Sequence, residues 1–147
     1  MHISNKCSIA IHCLLFIAEY GEKKKVTSKL LSLSTGCNPV TIRNMISAMK
    51  KDGIIHVKFG TGGATLAVPI QDITLYRICE AVDPTAIDHM IGIHPAPSPF
   101  CPVGKNIQNV LDLTYETLKK DLIVSMKSIT MEKILADYHA ISDNASV

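Results

Sequence analysis

The segment from Asn38 to Gly53, NPVTIRNMISAMKKDG, carries side chains suited to contacts with nucleic acid. Arginine can donate two hydrogen bonds to a guanine edge, and asparagine can pair with adenine. Lysine, serine and threonine suit contacts with phosphate, which position a protein on DNA without reading its sequence. These residue types recur at helical spacing: Thr41, Arg43, Asn44, Ser47, Lys50 and Lys51. They therefore predict a helix whose polar side contacts DNA.

Both ends of this helix are marked in the sequence. Asn38 is a favourable N-cap, and Pro39 suits the first helical position. Gly53 suits the left-handed residue that follows a helix. The other side of the helix carries an apolar stripe for the core: Ile42, Met45, Ile46 and Met49.

The neighbouring segments predict a winged helix-turn-helix. A first helix is expected over about 4–20, and Thr27 is expected to cap a short helix that ends near Gly36. Strands over 54–59 and 64–68 flank a glycine-rich turn and form the wing. Asp72 is then expected to cap a helix over 73–82. The predicted DNA-binding residues are Thr27, Ser28, Asn38, Thr41, Arg43, Asn44, Ser47, Lys50, Lys51, Lys58, Thr61 and Gly62.

The charges are unevenly distributed along the chain. Residues 1–63 contain nine Lys/Arg and three Asp/Glu, whereas the remainder contains six Lys/Arg and ten Asp/Glu. Basic side chains on a helix often only face water. Together with the capped motif and the wing, however, the basic first half favours a polyanionic partner, double-stranded DNA.

The second half of the chain begins with a break in helical periodicity. Four prolines crowd the end of the segment 84–102, which is therefore expected to be a loop. A helical period returns over about 103–126, and a shorter helix is expected over about 129–140. The expected fold is mainly α with a small β-hairpin.

Two stretches resemble a known family. NPVTIRNMISAMKKDGIIHVKFGTGGATLAVPIQDITLYRICEAVD resembles the Rrf-two family of bacterial winged helix-turn-helix transcriptional regulators, and HPAPSPFCPVGKNIQNVL resembles its YwnA-like branch. The resemblance implies a homodimer, formed by crossing the long helix, that binds a palindromic operator as a repressor. It divides the chain into a DNA-binding domain (1–83), a Pro-rich sensor loop (84–102) and a dimerisation helix with a C-terminal helix (103–147).

Cluster-binding members of this family hold an iron–sulfur cluster with three cysteines in the loop before the long helix. Here that loop has one cysteine, Cys101, whereas a cluster needs about four ligands, mostly thiolate. We therefore predict no iron–sulfur cluster, no metal and no other cofactor.

Cys101 has a different candidate role. It occupies the cap position of the long helix, with Pro102 in the first turn and Lys105 one turn later. A helix N-terminus and a nearby cation both favour thiolate, so Cys101 is a candidate sensor of an oxidant or small-molecule effector. The alternative is a small capping residue without reactivity.

Other functions and locations are less consistent with the sequence. An enzyme using Cys101 with His94 lacks an evident oxyanion-stabilising group. A winged helix that binds only proteins remains the alternative, although the basic first half argues against it. Five scattered cysteines without a CxxC pair favour a reducing cytoplasm. The apolar run 9–18 is too short to span a membrane.

Overall fold

The computed structural model describes residues 4–60 and 62–145, so the predicted DNA-binding residue Thr61 lies outside the described residues. Within these described residues, six α-helices and one antiparallel hairpin follow in chain order. The prediction of a mainly α fold with a small hairpin is confirmed. The elements are α1 (Asn5–Tyr20), α2 (Ser28–Thr35), α3 (Pro39–Lys51), β1 (Ile55–Lys58), β2 (Gly63–Leu66), a short 3-10 turn (Ile70–Asp72), α4 (Leu75–Val82), α5 (Pro102–Ser128) and α6 (Met131–Ala145).

The helix-turn-helix is built from local hydrogen bonds at its helix ends. The Thr27 hydroxyl accepts a hydrogen bond from the Leu30 amide (3.2 Å), and the Asn38 side chain accepts one from the Val40 amide (2.8 Å). Gly36 ends α2 with a φ of 70°, in the left-handed region that glycine adopts without strain. These caps fix where α2 ends and α3 begins, as the sequence predicts.

The predicted cap of α4 is wrong. Asp72 lies in the 3-10 turn, and Thr74 is the N-cap, because its hydroxyl accepts a hydrogen bond from the Arg77 amide (3.1 Å). Thr74 is held extended by a single antiparallel bridge to Thr130, just before α6. A contact between distant segments therefore sets the start of α4.

The main core joins the N-terminal helices, the hairpin and, unexpectedly, the start of α6. Leu14 of α1, Leu31 of α2 and Ile42 of α3 are fully buried in it. Met131 of α6 is buried in the same cluster, and its amide donates to the Ile73 carbonyl (2.8 Å). The C-terminal helix thus returns to pack against the N-terminal half of the chain.

α5 has one side packed and one side exposed. Its buried Met126 contacts a second, smaller cluster of buried residues that includes Cys7, Cys79 and Ile87. Its exposed apolar side chains, each at least half accessible, are Val103, Val110, Leu113, Leu118 and Val124. Among the described residues, no helix has the length and hydropathy needed to cross a membrane.

Candidate nucleic-acid interface

α3, the start of α2 and the wing enclose an open cleft with a volume of about 340 Å³. All the charged side chains that line it, within the described part of the chain, are basic: Lys25, Arg43, Lys50 and Lys58. The cleft brings together half of the predicted DNA-binding residues: Thr27, Ser28, Arg43, Ser47, Lys50 and Lys58. A concave basic surface of this kind attracts a polyanion.

The burial of one side of α3 determines which side faces out. Ile42, Met45 and Met49 are buried in the core, so Arg43 and Asn44 are exposed one helical step away. Of the predicted residues outside the cleft lining, Asn38, Asn44 and Lys51 are exposed, whereas Thr41 and Gly62 are partly buried. They lie along α3 or in the wing, on the elements that form the cleft.

Backbone contacts hold the wing against the segment that precedes α2. The Ala64 amide donates to the Val26 carbonyl (2.9 Å). Gly63 has a φ of 73°, and a Cβ added there would lie 2.7 Å from the backbone N and O of Val26. The Lys25 ammonium also donates to the Gly60 carbonyl in the wing turn. The close approach at Gly63 therefore requires a residue without a side chain.

Two cleft residues were missed by the sequence analysis. Lys25 belongs to a run of three lysines that reads only as a charged loop. Phe59 reads as a strand residue, yet it is 88% exposed, and the Lys50 ammonium lies 5.0 Å from its ring centroid. This distance is within the range of a cation–π interaction. The position of Phe59 directly before a glycine turn is the one sequence signal for a residue at the wing tip.

The C-terminal end of α3 is anchored to α4. The Arg77 guanidinium donates from Nε to the Asp52 carboxylate (2.9 Å) and from Nη2 to the Asp52 carbonyl (3.0 Å). Because both side chains are about one-third exposed, the ion pair itself stabilises the fold by at most about 1 kcal/mol. The two contacts tie the C-terminal end of α3 to α4.

The candidate sensor Cys101 is exposed and is the N-cap of α5, as predicted. The amides of Gly104 and Val103 lower the pKa of its thiol, although the sulfur makes no capping hydrogen bond of ordinary geometry. Lys105 is not among the causes of this shift, so the helix terminus rather than the neighbouring cation favours the thiolate.

Known proteins resemble this chain over most of its length. The family model Rrf2, described as an iron-dependent transcriptional regulator, matches residues 3–137. The candidate HTH-type transcriptional regulator YwnA of Bacillus subtilis (strain 168) is 33% identical over 133 residues, which are 90% of this chain and 96% of YwnA.

Solved structures agree with this similarity. The crystal structure of a candidate DNA-binding protein is 31% identical, with a TM-score of 0.70 over 89% of this chain and 99% of that one. A candidate transcriptional regulator from Lactobacillus plantarum is 25% identical, with a TM-score of 0.73 over 97% of this chain and 98% of that one.

The donor set does not fit the iron–sulfur cluster of cluster-binding relatives. Such a cluster needs about four ligands, mostly cysteine thiolates. The segment 84–102 contains a single cysteine, Cys101. Across residues 4–60 and 62–145, no three His, Cys, Asp or Glu side chains come together as a metal site.

The family match and the identity to YwnA together cover the winged helix-turn-helix, the loop and the long helix. The chain therefore belongs to the Rrf2 family of DNA-binding transcriptional regulators.

Proposed function

We propose that this regulator is a cytoplasmic, homodimeric repressor that binds a palindromic operator through α3 and the basic cleft, without an iron–sulfur cluster. The observation that carries the proposal is the cleft itself. Six residues selected from sequence for contacts with bases or phosphates line one concave surface, and the charged groups on it are basic. In this proposal the molecule acts by binding DNA rather than as an enzyme.

The side chains of α3 have the sequence-reading role in this proposal. Arg43 donates to a guanine edge and Asn44 pairs with adenine, because both lie exposed on the side of α3 opposite the core. The N-cap residue and the other polar residues of α3 contact flanking bases and phosphates: Asn38, Thr41, Ser47, Lys50 and Lys51.

The remaining contacts position the protein on the DNA backbone. Thr27 and Ser28 approach one phosphate strand from the start of α2, and Lys25 lies beside them in the same cleft. In the wing, Lys58 and Gly62, with Thr61 from the sequence analysis, approach the adjacent groove or phosphates.

A second copy of the chain supplies the second half of the interface. The exposed apolar side of α5 is the surface that pairs with the same surface of the partner, related by a two-fold axis. Two α3 helices then reach successive major grooves about 34–36 Å apart, or a multiple of that spacing, and the operator has the same symmetry.

Cys101 is the proposed sensor of an oxidant or electrophile. It lies at the start of the helix that pairs the two copies, it is exposed, and its pKa is lowered. Modification there would change the end of α5 and thereby the relative position of the two DNA-binding surfaces.

Selection of bound sequences from a random DNA pool, repeated with hydrogen peroxide, tests this function. We expect an inverted repeat to be enriched, and peroxide to weaken its binding less in Cys101→Ser than in the wild type. Affinity for the selected sequence should fall steeply with salt, by a logarithmic slope of about −0.9 for each phosphate neutralised. Absence of enrichment, together with a flat salt response, would favour a winged helix that binds only proteins.

A further inference from the structure

The second, smaller cluster of buried residues contains two cysteine thiols that interact with each other. Cys7 of α1 and Cys79 of α4 are 1% and 2% exposed. Both line one small cavity of about 20 Å³. A hydrogen bond between the two thiols lowers the pKa of Cys7 and raises that of Cys79. The two side chains are neighbours in one buried cluster and along one cavity, although 71 residues separate them in the chain.

Cys13 shows what burial alone does to a thiol in this protein. It is fully buried in α1, and burial raises its pKa to about 12, which makes it unreactive near neutral pH. Cys7 is equally inaccessible, yet its pKa is shifted in the opposite direction, because the Cys79 thiol donates to it. Of the two buried cysteines of α1, only Cys7 has a partner that stabilises its thiolate.

Part of the wall around Cys7 and Cys79 is formed by the irregular segment between α4 and α5. Ile87 and Met90, from the irregular segment between α4 and α5, line the cavity together with Ala86, and α5 contributes Leu122 and Met126. Turn segments open locally at lower free energy than the core helices they cover. The cavity already has about the volume of one water molecule. A local opening of this segment is therefore sufficient for a small oxidant to reach the two thiols, and the core need not unfold.

We propose that Cys7 and Cys79 form an oxidisable dithiol, a modification site separate from Cys101, at which a peroxide produces an intramolecular disulfide between α1 and α4. The Cys7 thiolate attacks one peroxide oxygen, the O–O bond breaks, and the leaving hydroxide takes up a proton to become water. The Cys79 sulfur then attacks the resulting sulfenic acid of Cys7. The S–O bond breaks and a second water leaves, so two thiols lose two electrons and two protons to one peroxide.

The location of this site gives the disulfide a structural consequence. α4 packs against α1, α3 and α5. Arg77, two residues before Cys79, holds the end of α3 through Asp52. A covalent bond between α1 and α4 would therefore fix the junction between the helix-turn-helix and α5. Neither the bond nor its detection depends on DNA binding, so the site can be tested independently of the proposed repressor function.

The experiment uses the full chain with Cys101→Ser, which removes the exposed thiol. The reduced protein is treated with hydrogen peroxide, denatured, and labelled with N-ethylmaleimide. We expect the number of labelled thiols to fall from four to two, with a mass loss of two hydrogens before labelling. Tryptic digestion should give a peptide pair linked through Cys7 and Cys79, and dithiothreitol should restore both labels.

Two matched variants identify the cysteines involved. Cys13→Ala in the same background should still lose two labels, whereas Cys7→Ala should retain all of its thiols. The Cys101→Ser protein has no substitution in the core. Its linked peptide therefore shows whether Cys7 and Cys79 form a disulfide, even where a core variant folds poorly. Full labelling after peroxide, a link through Cys13 or Cys37, or sulfinic acid on Cys7 would overturn the proposal.

Discussion

Arg43 and Asn44 are the residues for which sequence reasoning is strongest, because helical periodicity alone determines their side of α3. Ile42 and Met45 must be buried, so the residues between them face out. Lys25 and Phe59 could not be assigned in this way. Lys25 reaches Gly60 across 35 positions, and Lys50 meets Phe59 only once the wing has folded beside α3.

Arg43→Ala should weaken binding to the selected operator by about 1–3 kcal/mol and relax specificity at one base position. The reason is that an arginine bound to a guanine edge contributes to sequence discrimination as well as to affinity. Lys50→Ala should instead weaken binding to all sequences and reduce the salt slope by about 1, as loss of a phosphate contact does.

Lys133→Ala is the control for this pair, because Lys133 is exposed on α6 outside the cleft. It should leave operator affinity unchanged in fluorescence-anisotropy titrations at matched salt. Wild-type affinity and specificity in Arg43→Ala would show that α3 does not read the operator through this residue.

Cys101 should react with iodoacetamide at neutral pH faster than the other four cysteines. Its pKa is lowered, so its thiolate persists to lower pH, and its alkylation rate should reach half its plateau at a lower pH than that of a cysteine in a short peptide. Rates are measured by mass spectrometry of individual tryptic peptides.

Cys101→Ser should remove the fast phase of alkylation. Cys13 is the internal reference for a slow thiol, because its pKa is raised by burial. Equal rates at Cys101 and Cys13 in the folded protein would argue against a reactive sensor.

At the scale of elements, local signals predicted the helix-turn-helix well. Thr27 and Asn38 cap α2 and α3 by accepting hydrogen bonds from amides two or three residues further on, so the sequence contains the whole interaction. The start of α4 was predicted wrongly because Thr74 is held by Thr130, more than fifty positions further on. Capping rules that consider only residues close together in the sequence cannot predict such a bridge.

Substitutions at two glycines of the wing distinguish the cost of backbone strain from the cost of a steric clash. Gly60 and Gly63 both have positive φ, but a Cβ at Gly60 would meet nothing within 4 Å, whereas at Gly63 it would meet the backbone of Val26. Gly60→Ala should lower the free energy of unfolding by about 1 kcal/mol through strain alone. Gly63→Ala should lower it by about 2–4 kcal/mol, since the clash adds to the strain.

Urea denaturation followed by circular dichroism measures both free energies. Gly63→Ala should also weaken operator binding, because the wing would move away from the segment before α2. Equal stability of the two variants would mean that the wing does not pack closely against Val26.

At the scale of the whole molecule, the sequence predicted a basic first half and a long helix that pairs with a second copy of the chain. The return of α6 to the main core was not predicted, because Met131 reads from sequence only as one residue of a short helix over about 129–140. Its burial depends on the path of α5, which carries the chain away from the core and back.

Leu113→Asp should convert the proposed dimer to a monomer and reduce operator affinity at least tenfold. Leu113 is 77% exposed in the single chain, so the substitution should not disturb the monomer fold but would bury a charge between two copies of α5. Sedimentation equilibrium measures the change in assembly, and circular dichroism checks the fold.

Ile141→Asp is the matched control, because Ile141 is 71% exposed but belongs to α6 rather than to α5. It should sediment as wild type does. Dimers of Leu113→Asp that are as stable as those of the wild type would place the pairing surface elsewhere.

The burial of Met131 makes the DNA-binding region dependent on the far end of the chain. A fragment that stops at residue 83 would leave the Met131 site empty and the Ile73 carbonyl without its donor, the Met131 amide. We therefore expect that the winged helix of this protein does not fold fully as a separate module. We expect a tag, fusion or truncation that displaces α6 to weaken operator binding, although it changes no residue of the proposed DNA-binding surface.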